Sequence, residues 1–412
     1  MTLIAMQEQY QAAKARQHRL DLSRGRPAAE FLDLAQGLEH ALPENLSTGP
    51  KDLRNYLGFP GLEAARSLGA DLLQVPEESV LVGSNSSLML LSWLLTTMWF
   101  KGLPNQPAWS KQPAVDCLCP VPGYDRHFLL LETFGIGMPT IELCSTGVDP
   151  EQLTHQLRQQ QQVRAIMLVP RHSNPTGDVW SEESLRALMR AAKERAQLGN
   201  PLALLIDNAY AIHDFADTPD QPNLYQLADE YGVLDHFFLL GSTSKIGYAG
   251  SGLSFLSASP QNLHHMMHVM QGISLGGNPL DQARHARFFD KERSLRTHFS
   301  KLAPLLKTRF ELVQSTLEPL AQNMPMQISK PTGGYFLSLQ LPPNTASRTW
   351  QLCREAGVTL SAAGSAFPYN HDPKDSHLRI APTSLGIHDT AVALEVFAIA
   401  AQLAWREQQQ KG

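Results

Sequence analysis

The stretch that decides the fold is residues 236–255, HFFLLGSTSKIGYAGSGLSF. Its apolar start, rich in Phe and Leu, predicts a buried strand, which is followed by small hydroxyl residues, a single Lys245 and three glycines. Lysine is usually a solvated surface charge. At the end of a buried strand, however, desolvation lowers the pKa of a lysine and makes its amine available to form an imine with a carbonyl.

The residues around Lys245 are suited to a phosphate group. Ser242, Thr243 and Ser244 supply hydroxyls, and the glycine-rich turn supplies free backbone N–H groups. An imine-forming lysine beside a phosphate site predicts pyridoxal 5'-phosphate (PLP) as the cofactor.

Length and composition limit the classes of protein that fit. The chain has 412 residues, of which 43% are hydrophobic and 18% charged, so we expect a globular protein with one large domain and a smaller one. A formal net charge of −5 argues against nucleic acid as the main partner. The four cysteines lack metal-ligand spacing, so no metal is expected, and their small number indicates reduced thiols.

No segment reads as a signal peptide or a membrane span. Residues 1–20 have an amphipathic pattern without an apolar signal core, which predicts a helix. The longest apolar stretch, residues 88–100, is too short to cross a bilayer. We therefore expect a cytoplasmic protein with no membrane partner.

Five apolar runs, at residues 79–82, 115–119, 165–170, 202–206 and 236–240, each end in polar or glycine residues, and helical patterns separate several of them. This pattern predicts an α/β fold with a mostly parallel sheet covered by helices. Ligands bind beyond the carboxyl ends of such strands. The residues expected at that edge are Ser84, Tyr124, Asn174, Asp207 and Lys245.

The chain divides into three expected regions. Residues 1–45 form an N-terminal helix and a segment of the small domain, residues 46–300 form the large PLP-binding domain, and residues 301–412 form the small C-terminal α/β domain. A long helical region, residues 280–321, is expected to connect the two domains.

Several motifs together resemble the fold-type I PLP-dependent aminotransferases of the class I/II superfamily. The motifs are Asn174-Pro-Thr-Gly, Asp207 with Tyr210 three residues later, Ser242-x-Ser244-Lys245, and Arg379 in HLRIAP. The segments LSRGRP and STSKIGYAG look most like a distinct aspartate aminotransferase subgroup. The resemblance covers nearly the whole chain and implies the fold-type I architecture.

The resemblance also implies roles for the residues nearest the cofactor. Lys245 would hold PLP as a Schiff base and later shuttle a proton, and Asp207 would face the pyridine nitrogen. Tyr210 and Asn174 would hydrogen-bond the phenolic oxygen. Tyr124 would stack on the ring, while His127 would orient the aspartate.

Further roles concern the phosphate and the substrate. The resemblance places Ser84, Asn85, Ser242 and Ser244 at the phosphate, together with Tyr56 from a partner subunit, which implies a homodimer. Arg379 would bind the substrate α-carboxylate, with Asn174, Gly25 and Arg26 as further substrate contacts. Many relatives carry an arginine near the phosphate where this chain has Gly252, so the balancing cation stays open.

The resemblance implies ping-pong transamination between an L-amino acid, best matched by aspartate, and a 2-oxo acid, best matched by 2-oxoglutarate. Arg24, Arg26 and Arg126 are candidates for binding a distal carboxylate. Residues 273–279 lack the arginine that related enzymes often place there. Aromatic or hydrophobic amino acids therefore remain alternatives, as does a PLP-dependent β-elimination lyase. A PLP-binding regulator fits less well, because about twenty residues precede LDLSRGRP and leave no room for a DNA-binding module.

Overall fold

The computed structural model describes residues 2–47, 51–290 and 292–410. Helices and strands alternate through most of the chain. The α-helices are α1 (Leu3–Ala15), α2 (Ala29–Asp33), α3 (Glu63–Leu73), α4 (Ser87–Phe100), α5 (Asp125–Thr133), α6 (Pro150–Gln159), α7 (Glu182–Gln197), α8 (Leu224–Glu230), α9 (Pro260–Met270), α10 (Pro279–Phe288), α11 (Leu295–Asn323), α12 (Ala346–Glu355) and α13 (Ile387–Gln409).

The strands are short. They are β1 (Leu20–Asp21), β2 (Val80–Val82), β3 (Asp116–Val121), β4 (Thr140–Cys144), β5 (Gly147–Val148), β6 (Val163–Leu168), β7 (Ala203–Asp207), β8 (Phe237–Ser242), β9 (Ser254–Ser257), β10 (Gln327–Ile328), β11 (Leu337–Gln340), β12 (Val358–Thr359) and β13 (His377–Ile380).

The central element is an eight-stranded sheet in the order β2-β9-β8-β7-β6-β3-β4-β5. Six of its strands run in one direction, while β9 and β5 run antiparallel to their neighbours. This confirms the predicted α/β fold with a mostly parallel sheet. The strand β9 was not predicted, although it begins within residues 236–255.

Both faces of the sheet are covered, and this explains the continuous apolar runs. In β7, Leu204 and Ile206 join one hydrophobic core, whereas Ala203 and Leu205 point into the other. Every residue of β7 and of β8 is buried. An inner parallel strand lies between two helical layers, so it needs apolar side chains on both faces.

The predicted long helix over residues 280–321 is wrong in one respect, because the chain forms two helices, α10 and α11. The backbone N–H groups of Glu292 and Arg293 donate to Asp290 Oδ1, which forms a turn after α10 ends. Ser294 then caps α11 by accepting a hydrogen bond from the Thr297 N–H at 3.2 Å. Local side-chain capping thus interrupts a continuous helical pattern.

Two smaller sheets combine distant parts of the chain. The strands β10, β11 and β13 form an antiparallel sheet that carries Arg379. The strand β1 pairs in parallel with β12, and Leu20 lies opposite Val358. This pairing brings the LSRGRP segment, which follows β1, to the vicinity of Arg379.

Among the described residues, one helix, α13, is long and apolar enough to cross a membrane by length and composition alone. Half of its most apolar window is buried inside the fold. Buried core helices of globular proteins have the same composition, and α13 packs against α1, α11 and α12.

Candidate active site

The carboxyl ends of β6, β7 and β8 meet the N-terminal ends of α4 and α5 around a cavity of about 350 Å³. The volume is within the range of small-molecule sites, which is roughly 300–1,000 Å³. Eleven of the residues expected at the site line this cavity. They are Gly25, Arg26, Asn85, Tyr124, Asn174, Asp207, Tyr210, Ser242, Ser244, Lys245 and Arg379.

Lys245 follows β8 and projects into the cavity from a well-defined environment. Its ammonium group donates a hydrogen bond to the Gly25 carbonyl and lies 5.4 Å from the centre of the Tyr335 ring. Burial, with a smaller contribution from the Arg26 charge, lowers the pKa of Lys245 from 10.5 to about 8. The amine is therefore deprotonated far more readily than that of an exposed lysine.

Asp207 is the last residue of β7 and is 5% exposed. Its Oδ2 lies 3.0 Å from Nε2 of the buried His127, while its Oδ1 is buried without a hydrogen-bond partner. A buried polar atom without a partner is costly. The unpaired Oδ1 therefore indicates a position where a bound ligand would supply a donor.

Aromatic side chains form the walls on either side of these two groups. Tyr124 precedes α5, and its ring contacts the His127 ring edge-on with the centroids 4.8 Å apart. Burial, followed by the nearby Asp125 and Asp207 charges, raises the pKa of Tyr124 to about 12. The phenol therefore stays neutral at physiological pH and can act as a hydrogen-bond donor.

Tyr210 also lines the cavity, and its ring stacks on that of Tyr335, which lies outside the cavity lining, with the centroids 6.1 Å apart. Burial raises the pKa of Tyr210 well above its ordinary value. The Tyr335 hydroxyl donates to the Lys245 backbone carbonyl at 3.1 Å. Tyr335 thus contacts Lys245 at both its main chain and its ammonium group, although sequence patterns gave no indication of this role.

The hydroxyl groups near Lys245 are joined in a compact network. The hydroxyl oxygens of Ser242 and Ser244 lie 2.7 Å apart, and the Ser244 hydroxyl donates to the Asn85 carbonyl at 2.7 Å. The Asn85 amide in turn donates to the Gly250 carbonyl at 3.1 Å. These contacts fix the loop after β2 against the turn after β8.

Gly252 packs directly against this network. A Cβ atom at position 252 would lie 2.9 Å from Ser244 Oγ and 3.0 Å from the Ser244 backbone nitrogen. These distances are shorter than ordinary van der Waals contacts, so a side chain at position 252 would require Ser244 to shift. The close packing therefore favours glycine at this position.

One of the serines expected at the phosphate, Ser84, lies outside the cavity, and two neighbouring serines line it instead. Ser84 does not line it, since its backbone carbonyl instead accepts hydrogen bonds from the Ser254 N–H and hydroxyl, each at 2.8 Å. Ser86 and Ser87, at the start of α4, line the cavity in its place. The free N–H groups and dipole of that helix start favour an anion.

Arg379 lies in β13, is 7% exposed and stacks on the Phe336 ring at 4.8 Å. Its five N–H groups are matched by five hydrogen bonds. The acceptors are Ser361 Oγ (3.2 Å from Nε and 2.7 Å from Nη2), Ser23 O (3.4 Å from Nη2), Asp125 Oδ1 (3.0 Å from Nη1) and Asn174 Oδ1 (3.1 Å from Nη1). The planar guanidinium is thus held at a fixed orientation on the cavity wall.

Three further arginines, Arg24, Arg26 and Arg126, line the cavity. Within the described ranges, none of them has a carboxylate at ion-pair distance. Together with Lys245 and Arg379 they outnumber the carboxylates of the cavity wall, Asp125 and Asp207. The site therefore carries an excess of positive charge, which favours anionic ligands.

Tyr56 lies outside the cavity and is 77% exposed. The exposed side chains of Ile273 and Leu275 belong to the neighbouring loop, which contacts the Tyr56 loop through a 3.1 Å hydrogen bond from the Gly58 N–H to the Leu275 carbonyl. His127 also lies outside the cavity and contacts it through Asp207.

Comparison with known proteins gives a consistent result along the whole chain. A family model described as aspartate amino-transferase matches residues 2–411. An aspartate aminotransferase of Corynebacterium glutamicum is 36% identical over 98% of this chain and 93% of its own length. A Mycolicibacterium smegmatis relative, provisionally named an aminotransferase, is 37% identical over 97% of this chain and 94% of its own length.

Solved structures show the same likeness. The crystal structure of an aspartate transaminase of C. glutamicum superposes with a TM-score of 0.91 at 34% identity and covers 98% of this chain and 96% of its own. An α-aminoadipate aminotransferase of Thermus thermophilus, solved in complex with N-(5'-phosphopyridoxyl)-L-leucine, shares the fold with a TM-score of 0.80 at 20% identity, and covers 98% of both chains.

Proposed function

Because this chain belongs to the aspartate aminotransferase family and is an aminotransferase of fold type I, we propose that it moves an amino group between L-aspartate and 2-oxoglutarate. Aminotransferases of this fold depend on PLP and act on an amino acid and a 2-oxo acid. The observation that carries the proposal is that an activated lysine, a buried carboxylate and an arginine line one cavity.

The residues of the cavity fit PLP. The unpaired Asp207 Oδ1 is suited to the protonated pyridine nitrogen, and Tyr124 is suited to stacking on the ring. Tyr210 and Asn174 would serve the phenolic oxygen. When bound, PLP supplies an electron sink for the electrons released at the substrate α-carbon.

Lys245 would bind the cofactor through its amine and act as the base during the reaction. A pKa of about 8 places a usable fraction of the amine in the neutral form near physiological pH. The Lys245 amine would also move the proton to and from the substrate α-carbon. Tyr335 would hold the lysine main chain in place during this exchange.

The phosphate would be held by neutral donors. Ser86, Ser87, Ser242 and Ser244, with Asn85 and the free N–H groups at the start of α4, lie where these donors are required. Since position 252 is a glycine, the binding energy would come from hydrogen bonds and the helix dipole rather than from an ion pair at that position.

Arg379 would bind the α-carboxylate shared by all substrates, since its planar fork suits a carboxylate. Asn174, Gly25 and Arg26 would be further substrate contacts. The excess of unpaired arginines on the cavity wall supports an acidic substrate such as aspartate, whose distal carboxylate needs a second cation. The reaction would run in two halves, the first product leaving before the second substrate enters.

Three wider features complete the proposal. We infer the domain division 1–45, 46–300 and 301–412, which the separate location of the large sheet and the two small sheets supports. A homodimer, in which Tyr56 reaches the partner's phosphate, is supported by the exposure of Tyr56, Ile273 and Leu275 on adjoining loops. A cytoplasmic location is proposed from the composition.

A product assay tests the reaction and its substrates. PLP-loaded enzyme is incubated with L-aspartate and 2-oxoglutarate, and oxaloacetate, glutamate and ammonia are quantified. We expect oxaloacetate and glutamate in equal amounts, with no ammonia. Release of ammonia when no 2-oxoglutarate is added as amino acceptor would instead identify a lyase. Turnover with phenylalanine or leucine but not with aspartate would retain transamination and overturn the acidic substrate.

A further inference from the structure

The guanidinium of Arg379, which is proposed to bind the substrate, is already hydrogen-bonded to a carboxylate of the protein itself, Asp125. The five N–H groups of Arg379 already have five hydrogen bonds, so no donor is left for an incoming α-carboxylate. A bidentate carboxylate needs two of these N–H groups. Bidentate binding at Arg379 therefore requires that two of the present hydrogen bonds be released, and Asp125 accepts one of the five.

Asp125 is the acceptor best placed to leave. It pairs with Arg379 Nη1 at 3.0 Å, and its side chain is 28% exposed, whereas Arg379 and Asn174 are both buried. Asp125 lies in the first turn of α5 at the boundary between the active-site cavity and a second cavity of about 330 Å³. The second cavity gives a displaced side chain space into which to move.

The charge of Asp125 makes it a direct competitor. It is the same chemical group as the substrate α-carboxylate and contacts the same cation, whereas the Ser23 and Ser361 acceptors are neutral. We propose that Asp125 is an internal carboxylate that occupies the substrate-binding edge of Arg379 and must be displaced when an amino acid or a 2-oxo acid binds. This inference rests on the proposed role of Arg379.

A displaced Asp125 would not be left without a cation. Arg24 and Arg126 line both cavities, and neither forms an ion pair in the described parts of the chain. The carboxylate can therefore exchange one arginine for another as the substrate enters. The competition at Arg379 weakens the binding of aspartate and of 2-oxoglutarate alike, because both present the same α-carboxylate to that arginine.

The test is the affinity of the PLP-loaded enzyme for maleate, a dicarboxylate that has no amino group and cannot react. Its dissociation constant is measured by titration calorimetry for the wild type, Asp125→Asn, Glu132→Gln and Arg379→Ala. Glu132 is the matched control, because it is an exposed acid seven residues further along α5 that lines the second cavity without contacting Arg379.

We expect Asp125→Asn to bind maleate about tenfold more tightly, since a charged competitor becomes a neutral one. Glu132→Gln should stay within about twofold of the wild type, because only general electrostatics change. In steady-state kinetics, Asp125→Asn should lower KM for aspartate and for 2-oxoglutarate by similar factors. A gain for only one of the two substrates would contradict an effect exerted through their shared carboxylate.

Unchanged or weaker maleate binding by Asp125→Asn would overturn the inference and leave the transaminase proposal intact. Undiminished binding by Arg379→Ala would instead refute the role of Arg379 itself. If Asp125→Asn folds poorly, Asp125→Ser carries the same expectation, because serine also removes the charge. The same tightening in Glu132→Gln would assign the effect to net charge and likewise overturn the inference.

Discussion

The lowered pKa of Lys245 has a measurable consequence for the stability of the cofactor-free protein. Replacing the lysine by methionine keeps an unbranched side chain of similar length and removes the titrating group. We expect the free energy of unfolding of Lys245→Met, relative to the wild type, to depend on pH in a window set by this one residue. All other titrating groups are common to the two proteins and cancel in the difference.

The sign follows from proton binding. Between about pH 8 and 10.5 the folded wild type binds fewer protons at Lys245 than the unfolded chain does, because burial lowers the pKa from 10.5 to about 8. The stability of the wild type therefore rises with pH across this window relative to that of the variant. Below pH 8 the full cost of burying the ammonium group is present, and above pH 10.5 it is gone.

The change in the pKa of Lys245 also sets the size of this free-energy cost. At about 1.4 kcal/mol for each pH unit, the cost in the wild type is about 3 kcal/mol at pH 7, about 2 kcal/mol at pH 9 and below about 0.5 kcal/mol at pH 10.5. The variant also loses the contacts of Lys245 with Gly25 and the Tyr335 ring, which together contribute about 1 kcal/mol. Lys245→Met should thus be more stable by about 2 kcal/mol at pH 7.

Urea denaturation of the cofactor-free proteins at several pH values between 7 and 10.5 measures this difference. The matched control is Lys111→Met, which makes the same replacement at an exposed lysine. A stability difference for Lys245→Met that does not change between pH 7 and 10.5, or that changes no more than the difference for Lys111→Met, would refute this prediction. A stability difference that is the same at every pH would show only that the variant has lost the contacts of Lys245. It would not show that the amine is buried and activated.

Two further predictions concern the other groups of the cavity. Arg379→Ala should lower kcat/KM for the amino acid and for the 2-oxo acid alike by about 10²- to 10⁴-fold, because losing one partner of a buried, charge-assisted pair costs roughly 3–5 kcal/mol. Steady-state kinetics with both substrates measures this loss. An effect on one substrate alone would contradict the role of Arg379. Asp207→Asn preserves the shape of the side chain but removes the charge that is proposed to face the pyridine nitrogen, so kcat should fall by at least about a hundredfold with the fold retained. A near-normal kcat, with circular dichroism confirming the fold, would exclude that role.

The sequence predicted the parts of the molecule that depend on local pattern. The buried strands β7 and β8 were recognisable because helices on both faces require apolar side chains at successive positions. The polar residues that follow such strands necessarily come to one edge of the sheet, and this is why Asp207 and Lys245 were expected to lie in one site.

What the sequence did not predict depends on contacts between distant residues. The partners of Arg379 lie between 18 and 356 residues away along the chain, so the competition from Asp125 leaves no local pattern. The contact of Tyr335 with Lys245 spans 90 residues in the same way. The break between α10 and α11 was missed because the Asp290 and Ser294 caps lie within an otherwise continuous helical pattern.

Lys245 is proposed to hold PLP in a site that exchanges amino groups with aspartate and 2-oxoglutarate. The most direct test is the visible absorption spectrum of the purified protein with PLP, recorded before and after addition of L-aspartate and again after addition of 2-oxoglutarate. We expect a band from lysine-bound cofactor that disappears with aspartate and returns with 2-oxoglutarate. A protein that shows no such band, or a band that no amino acid changes, would contradict it.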